Sequence, residues 1–138
     1  MAASRLETVR RVAVLRTTAA RAAVGAAGAR QQTAQAHHEA RVAGLAGSRL
    51  MAGTAAEVQA GLQSLARLAD DVNEAGREVR LREDERRPAV LGWTDAARRA
   101  RLLDDVCARH RAERDAAAEK RTQHVLDDLA ARRTGAPA

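Results

Sequence analysis

Phenylalanine and tyrosine are absent from this 138-residue chain, and Trp93 is its single tryptophan. Large aromatics supply much of the buried area of compact cores. A chain without them can bury a narrow seam but cannot easily fill a thick globular interior. β-branched residues are few and no apolar/polar alternation occurs, so no strand is predicted. Cys107 is the only cysteine. It excludes an internal disulfide and fits a reducing cytoplasm. No apolar run reaches the length of a membrane span, and the N-terminus has no uninterrupted apolar segment of the secretory kind. Lysine occurs once, at Lys120, so nearly all the positive charge is arginine. No glycine-rich phosphate loop is present.

What is abundant is Ala, Arg and Leu, which with Glu and Gln are favourable in helices. The formal charge is +6. Residues 1–50 carry eight Arg against two Glu, residues 51–87 carry six basic against eight acidic, and the rest carries ten against eight. A basic chain points to acidic partners. Acids interleaved with the arginines argue against a dedicated duplex-binding face, and stacking platforms for single strands are missing. Nucleic acid is therefore not the expected partner. Residues 1–30 are Arg-rich, Ala-rich and acid-poor, as transit peptides are. The helical pattern running straight through them favours the helix reading.

Ser4-Arg5-Leu6-Glu7 fits a capping box and predicts a helix from about residue 4 to 46. Its expected seam is Val12, Leu15, Ala19, Ala22, Ala26, Ala29, Thr33, Ala36, Ala40 and Ala43, spaced alternately by three and four. Gly44, Gly47, Ser48 and Gly53 then form the densest cluster of helix breakers, predicting a turn over 47–53. Thr54-Ala55-Ala56-Glu57 is a second capping box, opening a helix from about 54 to 133. That helix shows a seam of Val58, Leu62, Leu65, Ala69, Val72, Gly76 and Val79, continued by Trp93, Ala96, Ala100, Leu103 and Cys107. Pro88, with Gly92 close behind, predicts a kink over 88–93, with Thr94 and Asp95 available to cap a restart. Gly135 and Pro137 mark the stop.

The predicted fold is therefore all-α, a single-domain, long antiparallel two-helix coiled-coil hairpin. A turn centred near residue 50 would set residue i opposite about residue 100 − i. Trp93 would then cover Leu6 and Val9. Residues beyond about 97 would project past the first helix or fold back as a third one, and their scarcity of large apolar side chains favours projection. Pairs at i,i+4 add small increments of helix stability: Glu78–Arg82, Glu83–Arg87, Asp105–Arg109, Arg109–Glu113, Arg111–Asp115 and Asp128–Arg132.

No catalytic or cofactor-binding residue is expected, and the chain does not read as an enzyme. His37-His38-Glu39 is the most ligand-like cluster, but neighbours on a helix point about 100° apart and do not readily share one metal. His110 and His124 lack zinc spacing. Arg109 and Arg111 would favour a Cys107 thiolate, although a plain seam cysteine is the better reading.

The stretch Trp93-Thr94-Asp95-Ala96-Ala97-Arg98-Arg99-Ala100-Arg101-Leu102-Leu103 resembles the Ala/basic/Leu register of the flagellar export protein FliJ family. His110-Arg111-Ala112-Glu113, Glu119-Lys120-Arg121 and the ending Leu126-Asp127-Asp128-Leu129-Ala130-Ala131-Arg132-Arg133 are similar to that family as well, and so is Gln31-Gln32. The chain differs at Pro88 and in having no aromatics near the hairpin tip. The resemblance implies a cytoplasmic stalk of a type III export apparatus, flagellar or injectisome, peripheral at the inner face of the cell membrane. It implies three partners: the export ATPase ring, the export gate membrane protein and the export chaperones. No small molecule and no cofactor is implied. On that reading Val58, Leu62, Leu65 and Ala69 are candidates for the gate-contacting face, and Arg109, Arg111, Arg114, Arg121 and Arg132 for ring contact. An unrelated coiled-coil scaffold or oligomerisation module and a basic nucleoid-associated protein are the alternatives.

Overall fold

The computed structural model describes residues 2–135, with side chains from Arg5 onward. It holds two helices, α1 Ala2–Gly47 and α2 Ala55–Thr134, joined by non-helical residues 48–54. No strand occurs among the described residues, so the fold class is all-α as the composition predicts.

α1 starts at Ala2, so Ser4 lies inside the helix and does not cap it. The Ser4 hydroxyl lies outside the described residues. The Glu7 carboxylate instead accepts from Arg10 at 2.9 Å and lies 3.9 Å from Arg11. At its other end, Ser48 Oγ donates to the Gly44 carbonyl at 2.8 Å and the Ser48 amide to Leu45 at 3.1 Å. These bonds use carbonyls that a helix end leaves without partners.

α2 opens on the capping box as predicted. The Thr54 amide donates to Glu57 Oε2 at 2.7 Å, and the Glu57 amide donates to Thr54 Oγ1 at 3.4 Å. Pro88 removes one donor from the ladder, yet α2 continues through it and through Gly92. The expected restart is not made. Thr94 Oγ1 donates to the Val90 carbonyl at 2.9 Å, the back-bond of a residue inside a helix. Because α2 runs on, there is no third helix among the described residues. α2 ends at Thr134, where the Gly135 amide bonds the Ala131 carbonyl at 3.0 Å; Pro137 lies outside the described residues.

The chain packs as two compact units, Thr17–Asp95 and Met1–Arg16 with Ala96–Ala138. In the unit Thr17–Asp95, Arg41 pairs with Asp71 at 3.5 Å and Arg86 donates to Gln31 at 3.0 Å. A Cβ added to Gly76 would lie 3.5 Å from His38 Nε2. Numbers rise in one helix as they fall in the other, so the two segments run in opposite directions. Residue i faces about residue 114 − i, not 100 − i.

The connection explains the offset. Leu50 packs on α2, where a Cβ at Gly61 would meet its Cδ2 at 3.2 Å. An extended chain advances about 3.3 Å per residue and a helix about 1.5 Å. The non-helical residues 48–54 therefore run back beside the first turns of α2, and α2 begins well beyond the end of α1. A tight turn would have given the smaller sum.

The buried face of each segment keeps the three-four spacing of a coiled-coil seam. In Thr17–Asp95 it comprises Ala20, Val24, Ala27, Gln31, Ala34, His38 and Leu45, facing Val58, Gly61, Leu65, Leu68, Val72, Ala75, Val79 and Arg82. Ala27 is 3% exposed and Ala75 4%. The expected α1 seam is thus displaced by one to two positions, and Val12, Leu15, Ala19, Ala22, Ala26, Ala29, Thr33, Ala36, Ala40 and Ala43 all face outward. In α2, Leu62 is exposed and Gly61 takes its place.

In the second unit, Leu6, Arg10 and Ala13 face Ala96, Ala100, Leu103, Cys107 and His110. Arg10 reaches Asp104 at 3.1 Å. The second-helix seam through Ala96, Ala100, Leu103 and Cys107 is where the spacing placed it. Trp93, expected over Leu6, lies in the other unit and is exposed; the residues beside Leu6 in its own unit are Cys107 and His110. Pairing continues to about residue 110, further than residue 97. Every described residue from Arg111 to Gly135 is exposed, so a projecting segment exists and begins there.

Candidate interaction surfaces

Val58, Leu65 and Ala69 are half-buried against their own unit, and Leu62 is exposed. The four do not form one free stripe. Val58 and Leu65 belong to the intramolecular seam, and Leu62 alone of the four is exposed.

The five arginines are all exposed. At 100° per residue, Arg111, Arg114, Arg121 and Arg132 fall within about 80° of one another around α2, and Arg109 points to the opposite side. Four of the five therefore share a face on the projecting segment. Arg121 Nε donates to the Ala117 carbonyl at 3.2 Å. The i,i+4 pairs expected here are not closed. Among the described residues the side-chain contacts to carboxylates in this region are His110 Nδ1 with Glu113 at 3.4 Å and Gln123 Nε2, donating to Asp127 at 3.5 Å. Further back, Glu78–Arg82 does form, at 2.7 Å, and Arg82 also takes Glu85 at 3.0 Å. Those two carboxylates raise the Arg82 pKa, chiefly through the hydrogen bond that Arg82 donates to Glu85. Arg87 turns to Asp84 at 3.7 Å instead of Glu83.

Where the projection begins, Leu6, Glu7, Cys107, His110, Arg111 and Arg114 line an open groove. The Arg10 hydrogen bond holds the Glu7 carboxyl below the usual carboxylate range. Glu7 and Asp104 together raise the Arg10 guanidinium, Glu7 more strongly. Cys107 is 4% exposed at the seam, which removes it from the surface and makes it a packing residue.

The histidine cluster separates. His38 turns into the seam against Gly76, while His37 and Glu39 stay outside, with Glu39 accepting from Gln35 at 2.9 Å. No group of three or more His, Cys, Asp or Glu able to hold a metal occurs among the described residues.

Sequence reasoning missed two surfaces. One is the outward α1 stripe through Val12 and Leu15, which it took for the seam. The other is a patch near the end of α2, Val125, Leu126 and Leu129, each more than half exposed. Both were legible as apolar spacing, and only the packing says which stripe is covered.

Comparison of the chain with protein-family models, with curated proteins and with solved structures finds no match.

Proposed function

We propose that the chain is a coiled-coil stalk of a type III protein export apparatus. It promotes assembly and activity of the export ATPase ring, and it contacts the export gate and export chaperones. The observation that carries the reading is the projecting segment of α2. It presents Arg111, Arg114, Arg121 and Arg132 on one face, beyond the last residues paired with α1. A stalk inserted in a ring needs stiff helices with polar sides, and the residues resembling the FliJ family lie largely in this part of α2. A position in the cytoplasm, peripheral to the membrane through protein partners, goes with this role. No helix of the described residues is long and apolar enough to cross a membrane.

The test is ATP hydrolysis by the cognate flagellar export ATPase with and without the protein, alongside negative-stain counts of rings. Stimulation with more rings is expected. Replacing Arg111, Arg114, Arg121 and Arg132 together by Ala should abolish it while leaving the melting temperature unchanged, since all four side chains are exposed. No stimulation by the unmodified protein at micromolar excess overturns the reading.

A scaffold reading is favoured by a different observation. The outward α1 stripe of Val12, Leu15 and regularly spaced alanines is exposed among the described residues and has the spacing that suits another helix.

A further inference from the structure

The projecting part of α2 carries a second heptad that its own chain does not use. Continuing the seam past Cys107 and His110 would reach Arg114, Ala117, Arg121 and His124, which is a polar line. A second line lies one residue further on and carries the exposed apolar side chains Val125 and Leu129, with charged residues at its two ends. Asp115, Ala118, Thr122, Val125, Leu129 and Arg132 are spaced three, four, three, four and three, and all are exposed. Leu126 flanks the stripe.

We propose that this stripe binds the same stripe of a second copy of the chain, in antiparallel orientation. The charges select this occupant. In an antiparallel pair centred between Gln123 and His124, the stripe residues oppose one another in layers. Ala118 meets Leu129 of the second copy, and Thr122 meets its Val125. At each end of the overlap, Asp115 meets the second copy's Arg132. The flanking Arg121 falls opposite the second copy's Asp128. Two-fold symmetry repeats each contact, as in any isologous interface. The parallel, in-register alternative would set Asp115 against Asp115 and Arg132 against Arg132, and like charges at core positions select against it. Asp115, Asp128 and Arg132 have no ion partner inside their own chain among the described residues.

The length of free helix fits as well. The six layers occupy residues 115–132 of each copy. With residue i of α1 facing about 114 − i, α1 of each copy ends its coverage near residue 112. The overlap uses the uncovered segment and stops where covered helix begins. The pair occupies Arg121 and Arg132, so a chain engaged in it does not present those arginines elsewhere. The inference does not depend on the stalk reading, because its readout is mass.

Sedimentation equilibrium of the full chain over a range of concentrations tests it. Apparent mass should rise with concentration toward twice the chain mass. Val125→Asp with Leu129→Asp should hold it at the single-chain mass with an unchanged melting temperature at low concentration. Arg121→Asp alone should weaken association about tenfold, and adding Asp128→Arg should restore it. For orientation, chains carrying Cys107→Ala with either Thr122→Cys or Val125→Cys are mixed and oxidised. A disulfide between the two kinds of chain supports the antiparallel pair. Each kind joining only to itself overturns it, as does a single-chain mass at every concentration.

Discussion

Gly53, Thr54 and Glu57 concentrate several constraints on one carboxylate. Glu57 Oε2 accepts from both the amide and the hydroxyl of Thr54, at 2.7 and 2.9 Å. A Cβ at Gly53 would collide with that same oxygen. Gly53→Ala should therefore displace the carboxylate and lower the melting temperature much as Thr54→Ala does, by about 1 kcal/mol of stability for a lost cap. The bond from the Thr54 amide, and then that from its hydroxyl, hold the Glu57 pKa below its ordinary 4.5. The sign follows from that direction. A depressed carboxylate contributes stability that is fully present above its unfolded value and lost as pH falls through the lowered folded value. Melting temperatures of the natural chain and Glu57→Ala should differ at neutral pH and converge in acid, once the pH has fallen below the lowered Glu57 value.

The two helices were unequally legible. α2 announces its seam because Val58, Leu65, Val72, Val79, Leu103 and Cys107 are larger than their surroundings. In α1, alanine fills almost every position, so an apolar stripe can be drawn in more than one register. The true one passes through Arg10, Thr17, Gln31 and His38, and polarity hid it. Capping chemistry marked the start of α2 correctly, since Thr54 and Glu57 follow a run of breakers. The same motif at Ser4 misled because α1 is already helical at Ala2. The pairing offset was not legible at all, since it depends on the non-helical course of residues 48–54. Two substitutions check the register. Ala27→Leu, at a position 3% exposed, should destabilise by about 1–3 kcal/mol through overpacking. Ala26→Leu, one residue away and exposed, should stay within about 0.5 kcal/mol in thermal melts. Pro88 is exposed within a continuing helix, so Pro88→Ala restores a donor and should stabilise, by up to about 3 kcal/mol.

Across the whole molecule, the core is made of small side chains. Among the described residues the buried apolar ones are Ala27, Ala34, Ala75 and Cys107, while leucines and valines lie half-buried or exposed. The segment after Ala112 adds nothing to it, since every described residue there is exposed. A chain ending at Ala112 should keep its dilute-solution melting temperature within about 3 °C and lose helical signal in proportion to the residues removed. Arg114, Arg121 and Arg132 of the candidate ring-contacting face and the whole self-pairing stripe reside in that segment, so the same truncation should abolish ATPase stimulation and self-association without unfolding the remainder.

A seam lined with alanine has little preference among alignments, because sliding one strand of it by seven residues brings alanine or a similar side chain back into nearly the same place. What distinguishes the native alignment is a sparse set of marks. In one unit, a seven-residue slip in the unfavourable direction takes Arg10 from Asp104 and sets it facing Arg111. In the other it takes Gln31 from Arg86 to Trp93. These polar residues, so costly to the legibility of the seam, act as the graduations on a ruler whose edge is otherwise blank. Erasing them with Arg10→Ala and Gln31→Ala would leave a chain still helical and still paired, but spread over several misaligned partners in place of one.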